Sequence, residues 1–205
     1  MTPLGHNKDR NDHVRATLLN PKSRPLVVIV GGSPGSGKST LAQEVATTLG
    51  MPMIARDAFK EAMMDVITTE TVADSHLVGE AAYGALFAAG EALLAAEMSF
   101  VIESNFVCGR AEKNFHGYLE KVNLVQVHCS APDELILQRY TERAQQDDRH
   151  DGHQGEEAVP ELRRDLASGL YAPLNLPVPL IAVDTSDGFV PSVAEVASRI
   201  MATIN

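Results

Sequence analysis

Residues 26–39 read Leu26-Val27-Val28-Ile29-Val30-Gly31-Gly32-Ser33-Pro34-Gly35-Ser36-Gly37-Lys38-Ser39. The first five form an unbroken apolar, β-branched run, which is how a strand buried on both faces of a parallel sheet is composed. Gly32, four residues, then Gly37-Lys38-Ser39 follow directly. From Lys38 to Leu49 the apolar positions Leu41, Val45, Ala46 and Leu49 recur at helical spacing, and Gly50 stops the helix. Strand, glycine loop and helix thus succeed one another without a spacer. Such a loop suits a phosphate, because glycines let backbone N–H groups turn inward around it and the helix N-terminus adds a favourable field.

The same alternation continues outward. Residues 53–55, 99–103, 123–129 and 180–183 read as short strands, and 58–67, 133–145 and 191–204 as helices. Short apolar strands alternating with helices predict a three-layer α/β/α sandwich around a five-stranded parallel sheet joined by right-handed crossovers. Residues 77–98 approach the ~20 apolar residues that span a bilayer. Glu80, Glu91 and Glu97 interrupt them, and Glu80 and Glu91 fall on one helical face, so a buried helix of a soluble protein is expected.

A chain of 205 residues, 44% hydrophobic and 21% charged, fits one globular domain. Residues 1–25 are expected to form a flexible arm with at most a short helix around 14–19, and 26–205 the domain, with a polar lid at about 145–160. The balance of 17 Lys+Arg against 27 Asp+Glu gives a net charge of −10, which argues against nucleic-acid polymers and anionic membranes as partners. A phosphate-handling function then requires local concentration of positive charge. The first residues lack the apolar run of ~7–15 that an export signal needs, and Cys108 and Cys129 fit reduced thiols, so a cytoplasmic location is expected.

Gly32 to Ser39 fits the P-loop pattern, in which Lys38 reaches the β/γ oxygens and Ser39 can coordinate Mg²⁺. With Thr40-Leu41-Ala42 behind it, and Ala55-Arg56-Asp57-Ala58-Phe59-Lys60 about twenty residues on, the segment resembles the P-loop small-molecule kinases of the AAA-family ATPase type. Chloramphenicol phosphotransferase, the zeta-toxin kinases and polynucleotide kinase are of this kind. The resemblance implies a P-loop kinase fold with a lid insertion, ATP and Mg²⁺ as cofactors, and a small-molecule hydroxyl as acceptor. It implies nucleotide contacts from Gly32, Ser33, Pro34, Gly35, Ser36, Gly37, Lys38, Ser39, Thr40 and Arg139.

Asp57 follows the second strand at the carboxyl edge of the sheet, where α/β proteins bind ligands. In the family an Asp here faces the acceptor hydroxyl as base or orienter; the alternative is an N-cap for a helix starting at Ala58. Arg56 and Lys60 beside it can hold an anionic group or be solvated. Phe100-Val101-Ile102-Glu103 ends in a carboxylate resembling the Walker B acid, so Ser39 and Glu103 are the expected Mg²⁺ ligands, with a substrate-facing role for Glu103 as the other reading. Tyr83, Phe87, Asn105 and Phe106 are weaker candidates for the acceptor pocket, and Arg110 lies in the same loop.

Arg139, Arg143 and Arg149 form the third group. Arg139 and Arg143, four apart, share a helical face, and the family's lids close arginines over the triphosphate to stabilise the transferring phosphoryl group. Lys38, Asp57, Arg143 and Arg149 are therefore the catalytic candidates. His150 and His153 match no zinc spacing. Asp184-Thr185-Ser186-Asp187 is placed where the family passes the adenine ring, and no Asn-Lys-x-Asp guanine motif follows the loop. The expected activity is transfer of the γ-phosphoryl of ATP to a hydroxyl of a metabolite or antibiotic. A nucleotide-dependent regulatory switch and a toxin-type nucleotide-sugar kinase are the alternatives, and oligomeric state is left open.

Overall fold

The computed structural model describes residues 24–69, 71–144 and 158–204. Its elements in chain order are β1 (Leu26–Gly31), α1 (Lys38–Leu49), β2 (Met53–Ala55), α2 (Arg56–Met64), α3 (Val72–Ala95) and β3 (Phe100–Glu103). Then come α4 (Glu112–Phe115), β4 (Asn123–Ser130), α5 (Asp133–Ala144), α6 (Val159–Ala167), β5 (Leu180–Asp184) and α7 (Val193–Ala202). The five strands pair in the order β2-β3-β1-β4-β5, and every pairing is parallel. The expected sandwich is therefore present. The arm, most of the lid, Arg149, His150 and His153 lie outside the described residues.

β1 is central because both of its faces are apolar. Val28 and Val30 enter one core with Leu41 and Val45 of α1 and Val196 and Ile200 of α7. Val27 and Ile29 enter the other with Leu86 of α3 and the rings of Phe100, Phe115 and Tyr118. Val27 to Val30 are wholly buried, each contributing about 1.5–3 kcal/mol relative to exposure. This fixes the strand end, and with it the glycine loop, at the middle of the sheet's carboxyl edge.

α3 packs along a single stripe, burying Ser75, Val78, Ala82, Leu86 and Gly90. A Cβ at Gly90 would stand 2.6 Å from the Tyr118 hydroxyl, so only glycine permits this approach. Residues Ala73–Ala95 are long and apolar enough to cross a membrane by length and composition. Glu80 and Glu91 do share the exposed face, together with Leu77, so the helix is half-buried and not buried all round.

Two local differences from the sequence reading affect the site. α2 begins at Arg56, with Ala55 as its N-cap and no side-chain capping bond. Asp57 is thus inside the first turn and does not cap the helix. α6 was not anticipated, although Val159, Leu162 and Leu166 recur on one face. It packs on α5 through Ile136, Leu137 and Leu162, forming a small separate core.

Candidate functional site

The loop after β1 is shaped by three glycines with left-handed or similar backbone: Gly32 (φ 144°), Gly35 (φ 82°) and Gly37 (φ 77°). The space is closed as well. A Cβ on Gly32 would lie 2.5 Å from the Cys129 carbonyl oxygen, and one on Gly35 2.6 Å from that of Ile136. Gly37 is the N-cap of α1 and supplies no side chain to the first-turn N–H groups. An uncapped helix start behind a concave glycine loop is a built anion cradle. The loop is held from behind, where the Thr185 hydroxyl donates to the Ser36 carbonyl at 2.9 Å.

Glu103 reaches the same edge because β3 pairs it with Val30 of β1 and Ala55 of β2. Its carboxylate lies 3.7 Å from the Lys38 ammonium, and both residues are buried. Burial pushes the Glu103 pKa up; Lys38 opposes this, Asp57 adds to it, and Arg56 and the Ser39 hydroxyl lower it. Glu103 Oε1 is buried without a hydrogen-bond partner. A carboxylate oxygen with unused lone pairs beside a Ser hydroxyl is the hard-oxygen donor set that suits Mg²⁺. Beneath the loop, burial raises the Cys129 thiol to about 12, so it stays protonated and inert.

A cavity of about 550 Å³ opens from this loop. Pro34, Gly35 and Lys38 form its phosphate-loop end. Arg56, Asp57 and Lys60 line it from α2, and Tyr83 from α3. Asn105, Arg110, Lys113 and Asn114 line it from the segment between β3 and β4, and Arg143, Asp165 and Tyr171 from the α5–α6 side. Arg56 holds Asp57 Oδ1 through Nη2 at 3.0 Å and Nε at 3.3 Å. The Lys60 ammonium donates to Ser75 Oγ at 2.9 Å, and the Asn114 amide to the Tyr83 hydroxyl at 3.1 Å. The Tyr171 hydroxyl donates to Asp165 Oδ2 at 3.1 Å. Burial, the largest influence, raises the pKa of both tyrosines, so they remain neutral hydrogen-bonding groups.

The anticipated residues divide. Lys38, Asp57, Asn105 and Arg143 meet at the cavity. Ser33 and Ser36 are buried in the loop, and Thr40 is exposed on the first turn of α1, outside the lining. Arg139 is also outside it: its guanidinium donates to the Thr185 and Ser186 carbonyls at 2.8 and 3.1 Å. It therefore fastens α5 to the loop after β5, while Arg143, one turn on, faces the cavity. Phe87 and Phe106 do not line the cavity either. They stack edge-on with Phe115 at 5.2 and 5.3 Å between ring centroids, in the core behind Tyr83. Sequence reasoning missed Lys113, Asn114 and the Asp165–Tyr171 pair. The apolar spacing of 159–166 would have exposed the last by revealing α6.

Comparisons with known proteins agree with this geometry. Residues 27–167 match the family model described as AAA domain. The 2-phosphoglycerate kinase of Methanocaldococcus jannaschii is 42% identical over 50 residues, 24% of this chain and 16% of that protein. That of Pyrococcus furiosus is 42% identical over 53 residues, 25% of this chain and 18% of that protein. The chain thus aligns with about a sixth of the length of these curated relatives. Among solved structures, a candidate kinase from Chloroflexus aurantiacus superposes with a TM-score of 0.78 at 27% identity, covering 90% of this chain and 100% of that one. The shikimate kinase of Acinetobacter baumannii, solved with shikimate, gives a TM-score of 0.53 at 17% identity, covering 93% and 96%, which is a likeness of fold. The family match runs from β1 to the end of α6 and takes in every lining residue named above except Tyr171. The chain belongs to the AAA domain family and has the fold of the P-loop kinases.

Proposed function

We propose that the protein is an ATP- and Mg²⁺-dependent phosphotransferase that moves the γ-phosphoryl group to a hydroxyl of a small molecule in the cytoplasm. The observation that carries this reading is the shared cavity: Lys38 of the phosphate loop and Asp57 of α2 line one space of about 550 Å³. A regulatory switch needs no second compartment beside its nucleotide, whereas a kinase must hold donor and acceptor together.

In this reading the backbone of Gly32 to Gly37 wraps the β-phosphate and Lys38 neutralises the β/γ oxygens. Ser39 and Glu103 would hold Mg²⁺, which would offset charge on the phosphates. Asp57, oriented by Arg56, accepts a hydrogen bond from the acceptor hydroxyl and takes its proton as the new oxygen–phosphorus bond forms and the bond from the γ-phosphorus to ADP breaks. Arg143 supplies positive charge where the phosphoryl group develops negative charge. Arg149, outside the described residues, is retained as a second lid cation, and Arg139 as a residue that positions α5 beside the nucleotide. The short matches to 2-phosphoglycerate kinases and the kinase fold support a small hydroxyl-bearing acceptor.

The test is a thermal-shift screen. A non-hydrolysable ATP analogue with Mg²⁺ is expected to stabilise the protein, and a true acceptor to add to that shift. Lys38→Ala is expected to abolish the nucleotide-dependent shift, and an unchanged shift in that variant would remove the phosphate-site reading.

A further inference from the structure

We infer that the acceptor carries an anionic group, a carboxylate or a phosphate, which is held by Arg110 and Lys113 of the cavity lining. This rests on the phosphotransferase reading and deepens it by naming the acceptor's chemical class.

Arg110 and Lys113 lie in the turn before α4 and in α4 itself, three residues apart, and both line the cavity. Among the described residues neither side chain makes a hydrogen bond or an ion pair. Arg56 and Lys60, four apart on α2 and hence on one of its faces, line the same cavity. Four cations from two segments thus border one space in a chain whose net charge is −10. With Lys38 and Arg143 the lining cations outnumber the lining carboxylates Asp57, Glu80, Glu161 and Asp165, and such a local excess of positive charge favours a ligand that carries negative charge.

The acids of the cavity do not supply it at Arg110 and Lys113. Asp57 is engaged by Arg56, and Asp165 accepts from Tyr171. Glu80 and Glu161 also line the space, and neither forms an ion pair with Arg110 or Lys113. A neutral polyol would gain no charge-assisted contact from these two cations. An acceptor with a carboxylate or phosphate satisfies them, and its remaining hydroxyls meet Asn105, Asn114 and Tyr83. Anchoring the anion there leaves a hydroxyl of the same molecule free to reach Asp57, which lines the same cavity.

The test uses the full chain saturated with AMP-PNP and Mg²⁺, so that the phosphate loop is filled. D-glycerate, glycerol 3-phosphate and glycerol are then titrated separately, with binding followed by protein-observed NMR, on the natural protein and on the Arg110→Gln, Lys113→Gln double variant. At least one anion is expected to bind better than glycerol, and to bind about tenfold or more weakly to the double variant, since charge-assisted hydrogen bonds are lost. The anion that binds identifies the source, carboxylate or phosphate. Both substituted residues are exposed, and unchanged AMP-PNP affinity in the variant verifies its fold. The inference is overturned if AMP-PNP binds but neither anion surpasses glycerol, or if the double variant binds the anion as the natural protein does. Failure of AMP-PNP to bind overturns the underlying kinase reading instead, and the inference falls with it.

Discussion

The Glu103 carboxylate stands 3.7 Å from the Lys38 ammonium, too far for a hydrogen bond, with the two side chains 2% and 8% exposed. The strand register places them so: Glu103 ends β3 beside Val30, from which the glycine loop departs. A loose ion pair out of water is costly to keep. In the proposed function each group meets another partner, phosphate for Lys38 and a divalent cation for Glu103.

This relationship sets a pH dependence. Burial raises the Glu103 pKa above that of the unfolded chain, so the folded protein takes up this proton first as pH falls. Relative to Glu103→Gln, stability without ligand is therefore expected to rise as pH falls from neutral, and to decline as pH rises through the folded pKa. Stabilisation by Mg²⁺ and an ATP analogue is expected to fade over the same fall in pH, beginning above the ordinary glutamate value of about 4.3. Thermal shifts of both proteins across this range, with and without Mg²⁺ nucleotide, check it. A difference that does not vary with pH would refute the titration.

Glycines in and outside the loop are expected to respond oppositely to alanine. Gly35→Ala places a methyl 2.6 Å from the Ile136 carbonyl at φ 82°, and is expected to destabilise by more than ~1–2 kcal/mol and weaken nucleotide binding. Gly84 lies in α3 with nothing within 4 Å of its added Cβ, so Gly84→Ala is expected to stabilise by roughly 0.5–1 kcal/mol. Chemical denaturation distinguishes the two signs.

Much of this architecture was legible in sequence where local chemistry alone decides it. The run from Leu26 to Val30, the glycines and the Leu41-Val45-Leu49 spacing predicted β1, the loop and α1, and the bounds of β2 and α1 agree with expectation. What tertiary contacts decide was hidden. Gln126, a polar residue in a central strand, is buried because its side chain pairs with both backbone groups of Leu174, at 2.6 and 3.2 Å. Arg139 and Arg143 share a helical face, yet carbonyls from a loop some 46 residues away draw one of them off the cavity. Nothing local could bring Arg110 and Lys113 to the cavity that Arg56 and Lys60 of α2 also line. That Asp57 sits within the first turn and does not cap the helix emerged only from where α2 begins.

The central claim is that Asp57 serves the acceptor and not the fold, and transfer of labelled γ-phosphoryl from ATP to an acceptor found in the screen, by the natural protein and by Asp57→Asn, tests it most directly. The variant is expected to keep nucleotide binding and nearly all stability, because Asp57 caps nothing and its effect on the helix dipole is only about 0.3–1 kcal/mol. Transfer is expected to fall by about 10²-fold or more, as when a general base is removed. A variant that transfers phosphate at the natural rate would contradict the account.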